Sequence, residues 1–342
     1  MGNLRFVTCL PQDSYYTWQV HLWLESLKEL GHSNKAIVLI FIPHGKQYNK
    51  KWDQIISLYP ETLFKFYFDD HGIHELLPIY IPVLRPYLMW RFYTDFPEMN
   101  DTKIFYCDSD VIFTNQFNIS HLLEDDINYL SDTNSYINAV YFDSKEKDVL
   151  PEKLEKYKTI DVLDDLSKLI GINREIAETN NFNSGGAQYL LKNLDSSFWL
   201  KVMKDCITIR KYLQWINKLY FESEAKGFQS WCADMWAVLW NLWALNKQTK
   251  VVKDLDFAWA SNPKTILDNY TILHNAGLSG DYYDNGNERF PVFFKGKYIN
   301  GTDPLQDQHL ITVINDNTSQ KYCTHLYTEK LLELKRKYNL IY

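Results

Sequence analysis

Apolar residues in the first part of the chain come in two patterns, continuous runs and helical stripes. Residues 4–10 form a short apolar run ended by Pro11, and Ala36–Ile42 forms a nearly unbroken one. Runs of that length are what strands buried on both faces require. Between them Val20, Trp23, Leu24, Leu27 and Leu30 recur on one helical face. Asp13 or Ser14 can cap that helix, and Gly31 can stop it. A shorter helix over 50–58 and a third strand over 62–68 complete a β-α-β-α-β alternation, which predicts a parallel, doubly wound sheet.

Further along, the irregular segment 69–82 precedes a helix near 85–94, with Pro86 suited to its first turn. A central strand at Lys103–Tyr106 follows, then a second apolar run at Val111–Phe113. From 115 to 180 the pattern loosens to a strand at Asn128–Leu130 and charge-rich helical segments, which read as an insertion over one edge of a site. A strand over 188–191, a long helix over 196–221 and a tryptophan-rich helix over 230–244 come next. Short strands follow near Val251, at Phe257–Trp259 and ending at His274. The turn-rich tail closes in an amphipathic helix over 328–338. The expected organisation is one large α/β domain over 1–280, with the insertion at 115–180 and an extension, 281–342, packed on the core.

Composition narrows the picture. A hydrophobic content of 46% with 23% charged residues belongs to a core-forming chain. Eleven Trp and twenty-four Tyr exceed what a compact core needs, so some are expected on a binding surface. A net charge of −7 excludes a generally basic surface for nucleic acid. The five cysteines are scattered, with no C-x-x-C pair, which points away from a disulfide framework or structural zinc and toward a reducing compartment. No apolar window is long enough to span a bilayer, no leader is evident, and position 6 is Phe where a myristoylated Gly2 would want Ser or Thr. A cytoplasmic location is the expectation, host cytoplasm if the source is viral.

Four places carry candidate chemistry. Asp108-Ser109-Asp110 lies between two apolar runs, where paired carboxylates are costly unless compensated. A divalent cation would compensate them, and a strand-capping turn is the other reading. Ligands of open α/β sheets bind outside the carboxyl ends of strands, which favours the cation. Asn183-Ser184-Gly185-Gly186 indicates a tight backbone with room for a ligand, or a simple turn. Asp234 stands among Trp231, Trp236, Trp240 and Trp243, so it is either satisfied by a hydrogen bond or functional. His274 ends an apolar strand beside Asn275 and Gly277, as a structural residue or a ligand.

In that order, Tyr106-Cys107-Asp108-Ser109-Asp110, Asn183-Ser184-Gly185-Gly186, Trp231-Cys232-Ala233-Asp234 and His274-Asn275-Ala276-Gly277 resemble the GT-A class of nucleotide-sugar glycosyltransferases. With Phe6-Val7-Thr8-Cys9, the helix carrying Trp18 and Trp23, and Arg85-Pro86-Tyr87, the chain is similar to hydroxyproline arabinosyltransferases and peptidyl-serine galactosyltransferases of plants and algae. It is also similar to bacteriophage transferases that glycosylate hydroxymethylated pyrimidines in DNA. The resemblance covers 4–280 and implies a GT-A type, Rossmann-like, mostly parallel central sheet with helices on both faces.

The resemblance also implies roles. Asp110 would bind Mn2+ or Mg2+ directly, with Asp108 at the donor ribose or the metal and His274 as third protein ligand. Thr8 and Gln12 would line the nucleoside of a UDP-sugar, with Ser109 beside them. Arg85 and Arg91 would steady the phosphates or the donor sugar, with a surface salt bridge as the other reading of each. Asn183, Ser184, Gly185 and Gly186 would approach that sugar. Asp234 would contact the acceptor or the transferred sugar, as an orienting group in a retaining enzyme or a general base in an inverting one; retention is favoured. The reaction would move arabinose, galactose or glucose to a hydroxyl. A 5-hydroxymethylcytosine-type base in phage DNA is the preferred acceptor, against the acidic net charge, and a protein hydroxyproline or serine or a glycan is the alternative. An inactive sugar- or nucleic-acid-binding module on the same fold is the reading from another class. A nucleotidyltransferase would want a Gly-rich basic loop where Leu10-Pro11-Gln12-Asp13 stands.

Overall fold

The computed structural model describes residues 4–76, 80–114, 116–223, 226–338 and 342. Gly2, residues 77–79 of the irregular segment and position 115 at the start of the expected insertion lie outside them.

The chain opens with strand β1 (Leu4–Pro11), helix α1 (Ser14–Glu29), β2 (Ala36–Ile42), α2 (Lys51–Leu58) and β3 (Leu63–Phe68). Helix α3 (Leu84–Asp95) leads to β4 (Lys103–Tyr106), β5 (Val111–Phe113) and β6 (Asn128–Leu130). The loosely patterned stretch contains short helices: α4 (Asn134–Ile137), α5 (Ala139–Glu146), α6 (Pro151–Lys156), α7 (Val162–Ile170) and α8 (Arg174–Thr179). Then come β7 (Tyr189–Leu191), α9 (Ser196–Tyr220), α10 (Ala233–Ala244), β8 (Thr249–Val251), β9 (Phe257–Trp259) and β10 (Ile272–His274). The tail holds β11 (Tyr282–Asp284), β12 (Arg289–Pro291), α11 (His309–Asn315) and α12 (Cys323–Tyr338).

The class is α/β, as the alternation predicts. Strands β3, β2 and β1 lie side by side in that order, and β4, β7, β6 and β8 do so in theirs. β1 with β2, β2 with β3 and β6 with β8 pair in parallel, while β7 runs antiparallel to β4 and to β6. Among the described residues, no helix is long and apolar enough to cross a membrane.

The chain forms two compact units. One is built from Asp69–Tyr106 and Ser120–Lys253. Its spine is α9, whose Asp195 caps the start by accepting the Phe198 N–H at 2.9 Å. Phe198, Trp199, Val202, Cys206, Ile209, Leu213 and Ile216 form its buried stripe, against which α3, α7 and α10 pack. Helix α10 is buried from Ala233 to Trp243, the environment its apolar composition demands.

The other unit comprises Arg5–Phe68, Cys107–Ile119 and Asp254–Tyr342. Every residue of β2 is buried. Helix α1 has no side-chain cap from Asp13, and burial of Trp18, Leu22, Trp23, Leu24 and Leu27 holds it instead. Its end follows the expected form, with Gly31 at φ +72° and the His32 N–H donating to Leu27 O at 2.8 Å. A small sheet, β5-β10-β9, pairs β5 antiparallel to β10 with Val111 opposite His274. Helix α12 begins earlier than its amphipathic pattern, because the Cys323 and Thr324 N–H groups are taken by the carbonyls of Asn262 and Ala260 at 2.8 and 2.7 Å.

Candidate metal centre and a buried ion pair

The register of β5 against β10 builds the first site. Because Val111 faces His274, the preceding Asp110 falls beside the end of β10. The Asn275 N–H then donates to the Asp110 backbone carbonyl at 3.0 Å. His274 Nε2 lies 3.2 Å from Asp110 Oδ1 and 3.7 Å from Asp108 Oδ2. One ligand atom from each of Asp108, Asp110 and His274 lies within 4.8 Å of the others. Two carboxylates and an imidazole make an O/O/N donor set that Mn2+ accepts readily and Mg2+ can use in part. The residues present therefore fit a divalent cation.

Their surroundings hold them in place. The His274 ring stacks on Trp259, with centroids 5.8 Å apart, and tilts against Phe257 at 5.2 Å. Ser109 is buried and donates to Gln19 Oε1 of α1 at 3.0 Å, tying the aspartate turn to that helix. Asp108 is half-exposed at 44%, whereas the Asp110 side chain is 4% exposed. Burial alone would raise the Asp110 carboxyl, but the Lys295 ammonium and His274 outweigh it and hold it well below the usual carboxylate range. Lys295 Nζ forms an ion pair with Asp110 Oδ2. Burial, and the Asp110 charge with it, pushes the Tyr15 and Tyr327 phenols far above their ordinary values. Tyr16 is raised in the same way, with Asp13, Asp108 and Asp110 all contributing. Both atoms of the Asn275 amide, 1% exposed, and the fully buried Thr8 hydroxyl have no hydrogen-bond partner among the described residues. Polar groups of that kind are costly unless a ligand or water meets them.

Gln12 is in the same unit, but its amide is engaged by the protein. Its Oε1 accepts the Asn49 N–H at 2.9 Å and its Nε2 donates to Gln47 O at 2.9 Å. With Asp13, Ser14, Asn49, Ile299, Asn300 and Gly301 it lines a polar cavity of about 340 Å³.

The other unit gathers a second set. Arg85 Nη2 pairs with Asp234 Oδ2 at 2.9 Å, both side chains being buried. The Tyr80 hydroxyl donates to Asp234 Oδ1 at 3.3 Å and accepts the Asp234 N–H at 2.9 Å. The Arg85 guanidinium lies over Tyr106 at 4.4 Å and Tyr189 at 5.0 Å. Arg91 instead pairs with Asp70 and donates to the Tyr87 hydroxyl at 3.1 Å. Asn183 O accepts from Thr249 Oγ1 at 3.0 Å, and Ser184 Oγ donates to Asn180 O at 3.0 Å. The paired glycines make room for this chain itself: a Cβ at Gly185 would meet Ser131 O at 2.3 Å, and one at Gly186 the Tyr189 hydroxyl oxygen at 2.5 Å. Phe182 and Trp231 are exposed, and Trp231 leans on Tyr136 with centroids 6.2 Å apart.

Sequence reasoning named Asn275 in a motif without giving it a role, and it missed Lys295, Tyr80 and the Arg85–Asp234 pairing. Local pattern could have flagged a role for Asn275, which adjoins His274. It holds no signal for Lys295, whose partner is far away in the chain.

No protein-family model matches the chain, and no curated protein matches it. Solved structures similar to it at low identity include two glycosyltransferases. The bifunctional glycosyltransferase WbbM, in its apo form, is 12% identical with a TM-score of 0.40, over 82% of this chain and 47% of that one. This chain thus spans about half the length of WbbM. Mouse xyloside xylosyltransferase 1, also apo, is 10% identical with a TM-score of 0.33, over 80% of this chain and 97% of that one.

Proposed function

We propose that the chain is a retaining glycosyltransferase. It moves a sugar from a UDP-sugar to a hydroxyl, with Mn2+ or Mg2+ held by Asp108, Asp110 and His274. The observation that carries this reading is the convergence of those three side chains at the joined ends of β5 and β10. Bound there, the cation would neutralise charge developing on the departing diphosphate. Asp110 and His274 are buried and braced, so they would hold it, while half-exposed Asp108 would reach either the ion or the donor ribose. Thr8 and Asn275 supply buried polar atoms that a nucleotide can meet. Asp234, ion-paired with Arg85, is a poor proton acceptor, because taking a proton would strand a buried guanidinium. That supports an orienting role and retention over general-base catalysis.

The preferred acceptor is a hydroxymethylated pyrimidine in DNA, ahead of a protein hydroxyproline or serine or a glycan, because the expected cytoplasmic setting suits it. A panel of nucleotide sugars with Mn2+, offered to hydroxymethylated DNA and to hydroxyproline peptide and read by mass, tests both parts. Transfer is expected to fall at least about 100-fold in Asp110→Asn. Unchanged transfer by that variant would remove the metal site from the mechanism. DNA that gains no mass with any donor would remove DNA as the acceptor.

A further inference from the structure

We propose that Lys295 is the resident counter-cation of this site, so that a divalent metal enters by displacing its ammonium from Asp110. The inference rests on the metal reading above, and it adds a residue that lies outside every motif singled out in the sequence.

Lys295 is the first residue of a short 3-10 turn, Lys295–Tyr298, in the C-terminal tail. The two oxygens of Asp110 are divided between two nitrogens, Oδ2 to Lys295 Nζ and Oδ1 to His274 Nε2. Both of those nitrogens lie where a metal bound to this carboxylate would need room or a ligand. His274 can remain as a ligand. Lys295 cannot, because an ammonium has no lone pair to offer and its charge repels the incoming ion. Asp110 cannot simply lose its partner either. A buried carboxylate without a counter-charge is strongly destabilising, so one cation must replace the other.

The lysine is built for that exchange. Its side chain is 29% exposed, against 4% for Asp110, so the ammonium can swing toward water on its four-carbon stem while the carboxylate stays in place. The consequence is a site whose buried charge is neutralised before any metal arrives. The affinity for metal is lowered by the fraction of molecules in which the lysine is bound.

Calorimetric titration of the purified chain with Mn2+, at one fixed pH, tests this. Lys295→Met is expected to bind Mn2+ about tenfold more tightly than wild type or better, as it would if the ion pair is closed nine-tenths of the time. Lys295→Arg, which keeps a cation, is expected to stay near wild type. A measurement on the unaltered protein guards against a variant that fails to fold. Acetylation of Lys295 by an amine-reactive ester, mapped by mass, is expected to rise several-fold when Mn2+ saturates the site. Equal or weaker Mn2+ binding by Lys295→Met, or labelling that does not rise, overturns the lysine exchange and leaves the metal site standing. Absence of Mn2+ and Mg2+ binding by both wild type and Lys295→Met overturns the metal site and the exchange together.

Discussion

A Cβ at Gly185 would sit 2.3 Å from the Ser131 carbonyl oxygen and 3.2 Å from both Leu130 Cβ and Val251 Cγ2. Backbone cannot step aside as a flexible side chain can, so Gly185→Ala is expected to cost about 1–3 kcal/mol. Gly280 has open space around its missing Cβ, so Gly280→Ala should stay within about 0.5 kcal/mol. Thermal melts of the two variants check the contrast, and equal melting temperatures would refute it. In the sequence the paired glycines announce a tight backbone. That the space is taken by Ser131 and Tyr189 is a tertiary fact. The same holds for Asp110: two carboxylates beside apolar runs are visible as an electrostatic cost, but the ammonium that offsets one of them comes from position 295.

Helices α3 and α10 meet α9, and between them they bury Arg85 against Asp234. Removing one partner leaves a buried charge without its counter-ion, so Arg85→Met should destabilise by about 3–5 kcal/mol. Replacing both, as Arg85→Met with Asp234→Leu, should recover most of that loss, because neither charge is then buried. Urea denaturation of the two single variants and the double variant measures the coupling. A double variant as unstable as the sum of the singles would mean that the pair does not couple. The elements themselves are legible: β2 and β4 lie at the expected positions, and α1, α3 and α9 fall within a residue or so of theirs. Their partners are not, since periodicity says which face of a helix is buried and nothing about what lies opposite it.

His21 reports on how distant parts of the chain are held together. It sits on α1, fully buried, with Nδ1 hydrogen-bonded to the Tyr342 hydroxyl and its ring 4.8 Å from that of Tyr338. Burial is the main reason its pKa is pushed down to about 4; Glu25 opposes the shift, and Lys28 and Lys337 add to it. An unfolded chain would take up that proton near the ordinary value of about 6.5. Below 6.5 the unfolded state therefore binds more protons, so His21 stabilises the fold at neutral pH and loses that contribution as pH falls from about 6.5 to 4. The loss amounts to about 3 kcal/mol. Stability measured by urea at pH 7 and pH 5 should fall more steeply in wild type than in His21→Gln, and parallel slopes would contradict this origin. By itself the sequence determined the α/β class, the order of the elements and the two aspartates and histidine worth watching. Alternating runs, stripes and breakers act locally, and a charged residue in an apolar setting is conspicuous wherever it lands. The tertiary structure decided that Asp108, Asp110 and His274 come together and that Lys295 pairs with Asp110. It also decided that Arg85 faces Asp234. Those contacts depend on β-register and helix packing between distant segments, which no local pattern of residues encodes.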